Sequence, residues 1–161
     1  MRPTRYDIVA IGEARVEFNQ TTPGQPSYLQ GFGGDTSNAI SAAARAGARC
    51  SYVTAVGDDS FGQSLLQLWR EAHVDTAQAA IDKIAPTGIY FVTHGPAGHE
   101  FSYRRAGSAA ARMTLSAVQR DTIASSKILH LSGISLAISP HARAQCMQAL
   151  RIAKAAGAQI S

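Results

Sequence analysis

The chain has 161 residues, 45% of them hydrophobic and 16% charged, with a formal net charge of +4. That length and apolar content suffice for one domain with a core of its own and exclude a disordered polypeptide. Twelve of the fifteen cations are arginines, none in a cluster denser than Arg104-Arg105, so the basic stripe of a nucleic-acid binder is missing.

No apolar run approaches the roughly 20 residues of a membrane span. The start, Met1-Arg2-Pro3-Thr4-Arg5, is basic, but the apolar run after it is too short for a secretory signal. A cytoplasmic protein is therefore expected. Cys50 and Cys146 stand far apart among apolar residues, with no Cys/His ligand spacing, which predicts reduced core thiols and no metal site. The histidines are scattered, and His130 reads as a packed residue of a strand.

In chain order, residues 6–12 form a nearly continuous apolar strand, expected to be buried on both faces of a parallel sheet. Residues 13–19 and 27–32 read as two further strands around a turn-rich connector. Next comes Gly31-Phe32-Gly33-Gly34-Asp35-Thr36-Ser37-Asn38, a glycine turn that runs into an Ala-rich helix ending at Gly47. Asp35, Thr36 and Ser37 are candidates to cap that helix. The turn serves equally as a capped helix start or as a ligand loop, with Asn38 able both to donate and to accept. Residues 49–56 form a strand. Ser60 and Gln63 have capping-box spacing and open a second helix. Strand, helix, strand, helix is the doubly wound α/β pattern.

Residues 87–94 and 100–105 read as a hairpin closed by Gly95-Pro96-Ala97-Gly98, an antiparallel element inserted into the α/β pattern. It is expected to pair with the strands of residues 13–32. After it, Ser116 and Gln119 form a second capping box and residues 127–131 a buried strand. Ser139-Pro140 opens a long helix that Gly157 closes, and residues 158–161 begin another strand. The core is thus residues 1–12, 33–75 and 108–161, and the lid residues 13–32 and 76–107. With the loop at residues 95–98, Tyr90 faces Tyr103 and Gly88 faces Arg105. Strand alternation then sets Tyr90, Tyr103 and Arg105 on one face and Arg104 on the other. Two phenols and a guanidinium suit a polar anion, and a solvated sheet edge gives the same pattern. A one-residue slip would exchange Arg105 for Arg104.

Four segments carry a family resemblance: Ile11-Gly12-Glu13, Phe32-Gly33-Gly34-Asp35-Thr36-Ser37-Asn38, Tyr103-Arg104-Arg105, and Leu131-Ser132-Gly133-Ile134-Ser135-Leu136-Ala137-Ile138-Ser139-Pro140. Over nearly the whole chain the sequence resembles the N-terminal half of the ribokinase-type carbohydrate kinases, and within them the 2-keto-3-deoxygluconate kinases. The resemblance implies a ribokinase-like three-layer α/β/α core with a small β-sheet lid. It implies a sugar site formed by Gly33, Gly34, Asn38, Tyr90, Tyr103 and Arg105, with Arg105 on the carboxylate of the sugar acid. It further implies phosphoryl transfer from ATP with Mg2+, using an aspartate base in a Gly-Ala-Gly-Asp segment. That segment is missing here, so the chain reads as truncated, with catalytic base and ATP site beyond Ser161. A homodimer through the lid is compatible with this reading. Fructokinase and a non-catalytic sugar-binding fragment are the alternatives.

Overall fold

The computed structural model describes residues 4–161; the first three residues of the basic start, and of the core segment 1–12, lie outside it. The elements are β1 (Tyr6–Ile11), β2 (Arg15–Gln20), β3 (Tyr28–Gly33), α1 (Asp35–Arg45), β4 (Cys50–Gly57), α2 (Ser60–Glu71) and β5 (Ala79–Asp82). They continue with β6 (Ile89–Gly95), β7 (Gly98–Arg104), α3 (Ala109–Arg112), α4 (Ala117–Ala124), β8 (Ser126–His130), α5 (Gly133–Ala137), α6 (Pro140–Ala155) and β9 (Gln159–Ile160).

Five strands in the order β5-β4-β1-β8-β9 form one sheet, and every neighbouring pair in it is parallel. The continuous apolar runs follow from burial on both faces. Ala10, Tyr52 and Val56 point to one side, against Ile40 and Ala44 of α1 and Leu65, Leu66 and Trp69 of α2. Val9, Ile11, Val53 and Leu129 point to the other, against Ile123 of α4 and Cys146, Ala149 and Ala153 of α6. This is the expected doubly wound three-layer core. Both cysteines are free and buried, and desolvation pushes their thiols up to about 11. His130 is half-buried, with Nδ1 3.2 Å from Ser161 Oγ.

The second sheet has the order β3-β2-β6-β7. β2 pairs antiparallel with β3 and parallel with β6, and β6 and β7 form the antiparallel hairpin. The observed register pairs His94 with His99, Val92 with Phe101 and Tyr90 with Tyr103, as alternation predicts. The ladder ends at Ile89 and Arg104, so Gly88 and Arg105 lie just past it. The sheet rides on the core through Phe18, whose ring meets Phe61 of α2 edge-on at 5.7 Å and stacks on Phe91 at 5.3 Å.

Three local expectations change. Asp35, Thr36 and Ser37 do not cap α1, whose N-cap is Gly34 without a side-chain cap bond. Thr36 and Ser37 instead turn inward, where Thr36 Oγ1 lies 2.9 Å from the Tyr52 hydroxyl and Ser37 Oγ accepts from Trp69 Nε1 at 2.8 Å. Buried Tyr and Trp need such partners, and that need outweighs capping. Helix α2 is capped by Asp59, which accepts from the Gly62 N–H, and not by Ser60. Residues 79–82, grouped with the lid from sequence, extend the parallel core sheet beside β4. The caps at Ser116 and Ser139, the latter with Pro140, form as expected. The short helices α3 and α5 carry no periodic signal and are seen only in the structure.

Candidate active site: the glycine turn and the lid face

The glycine turn joins β3 directly to α1. Gly34 has φ 140°, a conformation rarely adopted by L side chains. A Cβ there would come within 2.7 Å of the Glu13 carbonyl oxygen. At Gly33 a Cβ would fall 2.8 Å from Cε1 of the Tyr90 ring. The two glycines therefore let the turn close onto the β1–β2 link and onto Tyr90. Asn38 lies one turn into α1, its N–H donating to the Gly34 carbonyl at 2.8 Å. Its side chain is exposed and has no hydrogen-bond partner among the described residues.

On the lid, Tyr90 and Tyr103 stack with ring centroids 5.6 Å apart. Tyr90 is buried and donates its hydroxyl hydrogen to the Glu17 carboxylate, while Tyr103 is 46% exposed. Burial first, and then the bond to Glu17, push the Tyr90 phenol well above its usual range, so it stays protonated. Glu17 also accepts from Asn19 Nδ2 at 3.1 Å.

Beside the tyrosines lies a buried carboxylate, Glu13, 3% exposed. Its Oε1 accepts from Ser108 Oγ at 3.0 Å. Its Oε2 is 3.2 Å from Arg15 Nη1 and 2.7 Å from Arg105 Nη2. The Arg105 contact is a close ion pair without hydrogen-bond alignment, and Arg105 Nε is buried with no acceptor. Arg104 is exposed and turns away, donating from Nη1 to the Tyr103 carbonyl at 3.0 Å.

The structure thus brings together Gly33, Tyr90 and Tyr103 by direct contact, ties Arg105 to them through Glu13 and Arg15, and seats Gly34 on the Glu13 backbone. Asn38 stands beside this group on α1. Sequence reasoning did not assign Arg15 or Glu17 a role. Alternation within β2 sets them on one face, but the parallel pairing of Glu17 with Tyr90 is a long-range fact. A cavity of about 930 Å³ lies elsewhere, at the β8, β9 and α6 edge, lined by Lys127, Ile152 and Gln159 among others. None of the site residues borders it.

A family model for pfkB family carbohydrate kinases matches residues 5–160. The chain belongs to that family. It is 38% identical over 154 residues to a 2-dehydro-3-deoxygluconokinase of Thermoproteus tenax, covering 91% of this chain and 47% of that protein. It is 36% identical over 160 residues to Fructokinase-2 of Solanum habrochaites, covering 96% of this chain and 48% of that one. A crystal structure of fructokinase with bound ATP from Xylella fastidiosa superposes with a TM-score of 0.87 at 26% identity, over 96% of this chain and 50% of that one. The fold is ribokinase-like, as the motifs imply. The chain spans about half the length of the curated relatives it matches.

Among the described residues no helix is long and apolar enough to cross a membrane. No group of three or more His, Cys, Asp or Glu among them is placed to hold a metal ion, so no residue here is assigned to Mg2+.

Proposed function

We propose that the polypeptide carrying this chain transfers the γ-phosphoryl group of ATP to a hydroxyl of 2-keto-3-deoxygluconate, and that these residues supply the acceptor-sugar side of the site. The observation that carries the proposal is Arg105. Its guanidinium shares the Glu13 carboxylate with Arg15, which lies over Tyr90 and Tyr103, yet its Nε hydrogen has no acceptor. A carboxylate beside the sugar supplies the acceptors in a fork geometry that a neutral sugar does not. The likeness to the Thermoproteus tenax enzyme supports the same substrate.

In the transfer, the sugar oxygen bonds to the γ-phosphorus as the bond to the ADP oxygen breaks, and the hydroxyl proton passes to a base. On this proposal the base is an aspartate beyond Ser161, as are the ATP contacts. The role of Gly33, Gly34 and Asn38 is to bring backbone and amide groups close to the sugar hydroxyls. Tyr90 and Tyr103 wall the site, and Arg105 orients the acid. A cytoplasmic location and a lid-to-lid homodimer belong to the same proposal. The dimer is supported by the outer lid strands β3 and β7 and by the exposed Leu29 and Phe101.

A coupled ATP assay on the complete polypeptide tests it. Turnover of the sugar acid is expected, and Arg105→Ala should raise KM for it roughly tenfold to hundredfold, the scale of a lost charge-assisted hydrogen bond. Turnover of fructose with none of the acid would instead select the fructokinase reading, which the similarity to Fructokinase-2 favours. No ATP-dependent turnover of any sugar would leave a binding module.

A further inference from the structure

We propose that Arg15 is a second anion-reading residue of this site, so that the acceptor sugar carries an acid group held by two guanidiniums. This rests on the sugar-kinase reading above and deepens it. Arg15 is 8% exposed, deep for an arginine. Its guanidinium lies over the rings of both Tyr90 and Tyr103, at 5.4 Å and 5.3 Å from their centroids. Contact with the two rings holds the cation in place, and Nη1 donates to Glu13.

The charges around it do not balance. Arg15 and Arg105 converge on one oxygen of one carboxylate, Glu13 Oε2, whose other oxygen is taken by Ser108. Among the described residues neither arginine has another acidic partner. Glu17 is the nearest alternative on the same strand, but its contacts are Tyr90 and Asn19, and it forms no ion pair with either guanidinium. Two donors, Arg15 Nε and Arg105 Nε, are buried without acceptors, and Arg105 Nη2 has only its ion pair with Glu13. Buried charged donors are costly to leave unmatched. One acid group between the two guanidiniums supplies both the missing negative charge and the missing acceptors. Carboxylate and phosphate share this chemistry.

Arg15→Gln and Arg15→Lys in the complete polypeptide test the assignment, with three acceptors: 2-keto-3-deoxygluconate, a ketohexose phosphate, and fructose. For whichever acidic sugar the wild type phosphorylates, Arg15→Gln should raise KM roughly tenfold or more, by far more than it lowers kcat. KM for ATP should not move. Arg15→Lys keeps the charge but not the planar fork, and should fall between. It also serves should the glutamine variant not accumulate. An equal change for fructose and the acid, or no change for the acid, overturns the proposal and leaves Arg15 as packing for the tyrosines. If the wild type phosphorylates only neutral sugars, the sugar-acid substrate proposed above fails by itself. Inhibition by gluconate then decides here. Inhibition weakened by Arg15→Gln sustains the anion site, and inhibition that is absent or unaltered overturns it.

Discussion

The two sheets of this chain are specified by different forces. In the parallel sheet, β4 buries eight consecutive residues, and both faces are covered by helices. Its side chains are held by apolar burial, which is strong and non-directional. In the lid sheet, β2 alternates Val16 and Phe18, facing the core, with Arg15 and Glu17, facing the tyrosines. β7 is almost wholly exposed. Its site face is held by directional contacts around Glu13 and Glu17. The difference teaches where to expect each kind of failure. Changes in the parallel sheet should be read in stability, and changes on the lid face in ligand affinity.

The hardest way to break the comparison is to remove the central aromatic of the core. Trp69 is 0% exposed, edge-on to Tyr52 at 4.9 Å and bonded to Ser37. Trp69→Ala should cost about 4 kcal/mol in urea denaturation. A loss under about 1 kcal/mol would show that burial does not dominate there.

Next comes the joint between the two sheets, where Asp59 caps α2 and ties down the start of the lid hairpin. It accepts from the Gly62 N–H at 2.8 Å, the Thr87 N–H at 2.8 Å and Thr87 Oγ1 at 2.7 Å. Burial pushes its carboxyl up, but these hydrogen bonds together outweigh it and hold the group below its usual range. Asp59→Ala should cost about 2 kcal/mol at neutral pH. Because the folded value is depressed, this contribution is present above the ordinary carboxyl value of about 3.9 and fades as pH falls through the folded one. The gap between wild type and variant should therefore narrow below about pH 4. A gap constant from pH 7 to pH 3 would assign the loss to the helix cap geometry and not to the charge.

The smallest effect should come from the lid rim. Phe101 stacks at 6.3 Å on Tyr103 but is 52% exposed. Phe101→Ala should change monomer stability by no more than about 0.5 kcal/mol. Sedimentation of the same variant sharpens the comparison, since a weakened dimer would show this rim to be covered in the assembly proposed above.

Much of this was legible in the sequence. Apolar runs placed β1, β4 and β8, the caps at Ser116 and Ser139 placed α4 and α6, and the Gly-Pro-Ala-Gly turn fixed the hairpin register correctly. Those signals are local, carried by residues a few positions apart. The failures share a cause. Thr36 and Ser37 look like caps because capping is a local preference, yet they serve Tyr52 and Trp69, far along the chain. Residues 79–82 are too short and too exposed to announce a core strand, and only pairing with β4 makes them one.

For the candidate site the division is the same. By itself the sequence determined that a glycine turn precedes α1 and that Tyr90 pairs with Tyr103, because each rests on alternation or on a contiguous motif, and it named Arg105 as a candidate through the family resemblance. Only the tertiary structure decided that Glu13 gathers Arg15 and Arg105 onto one oxygen beside those tyrosines. Separations of ninety residues or more are closed by pairing β2 with the β6–β7 hairpin in one sheet, and no periodicity within a strand encodes which charges that pairing will bring face to face.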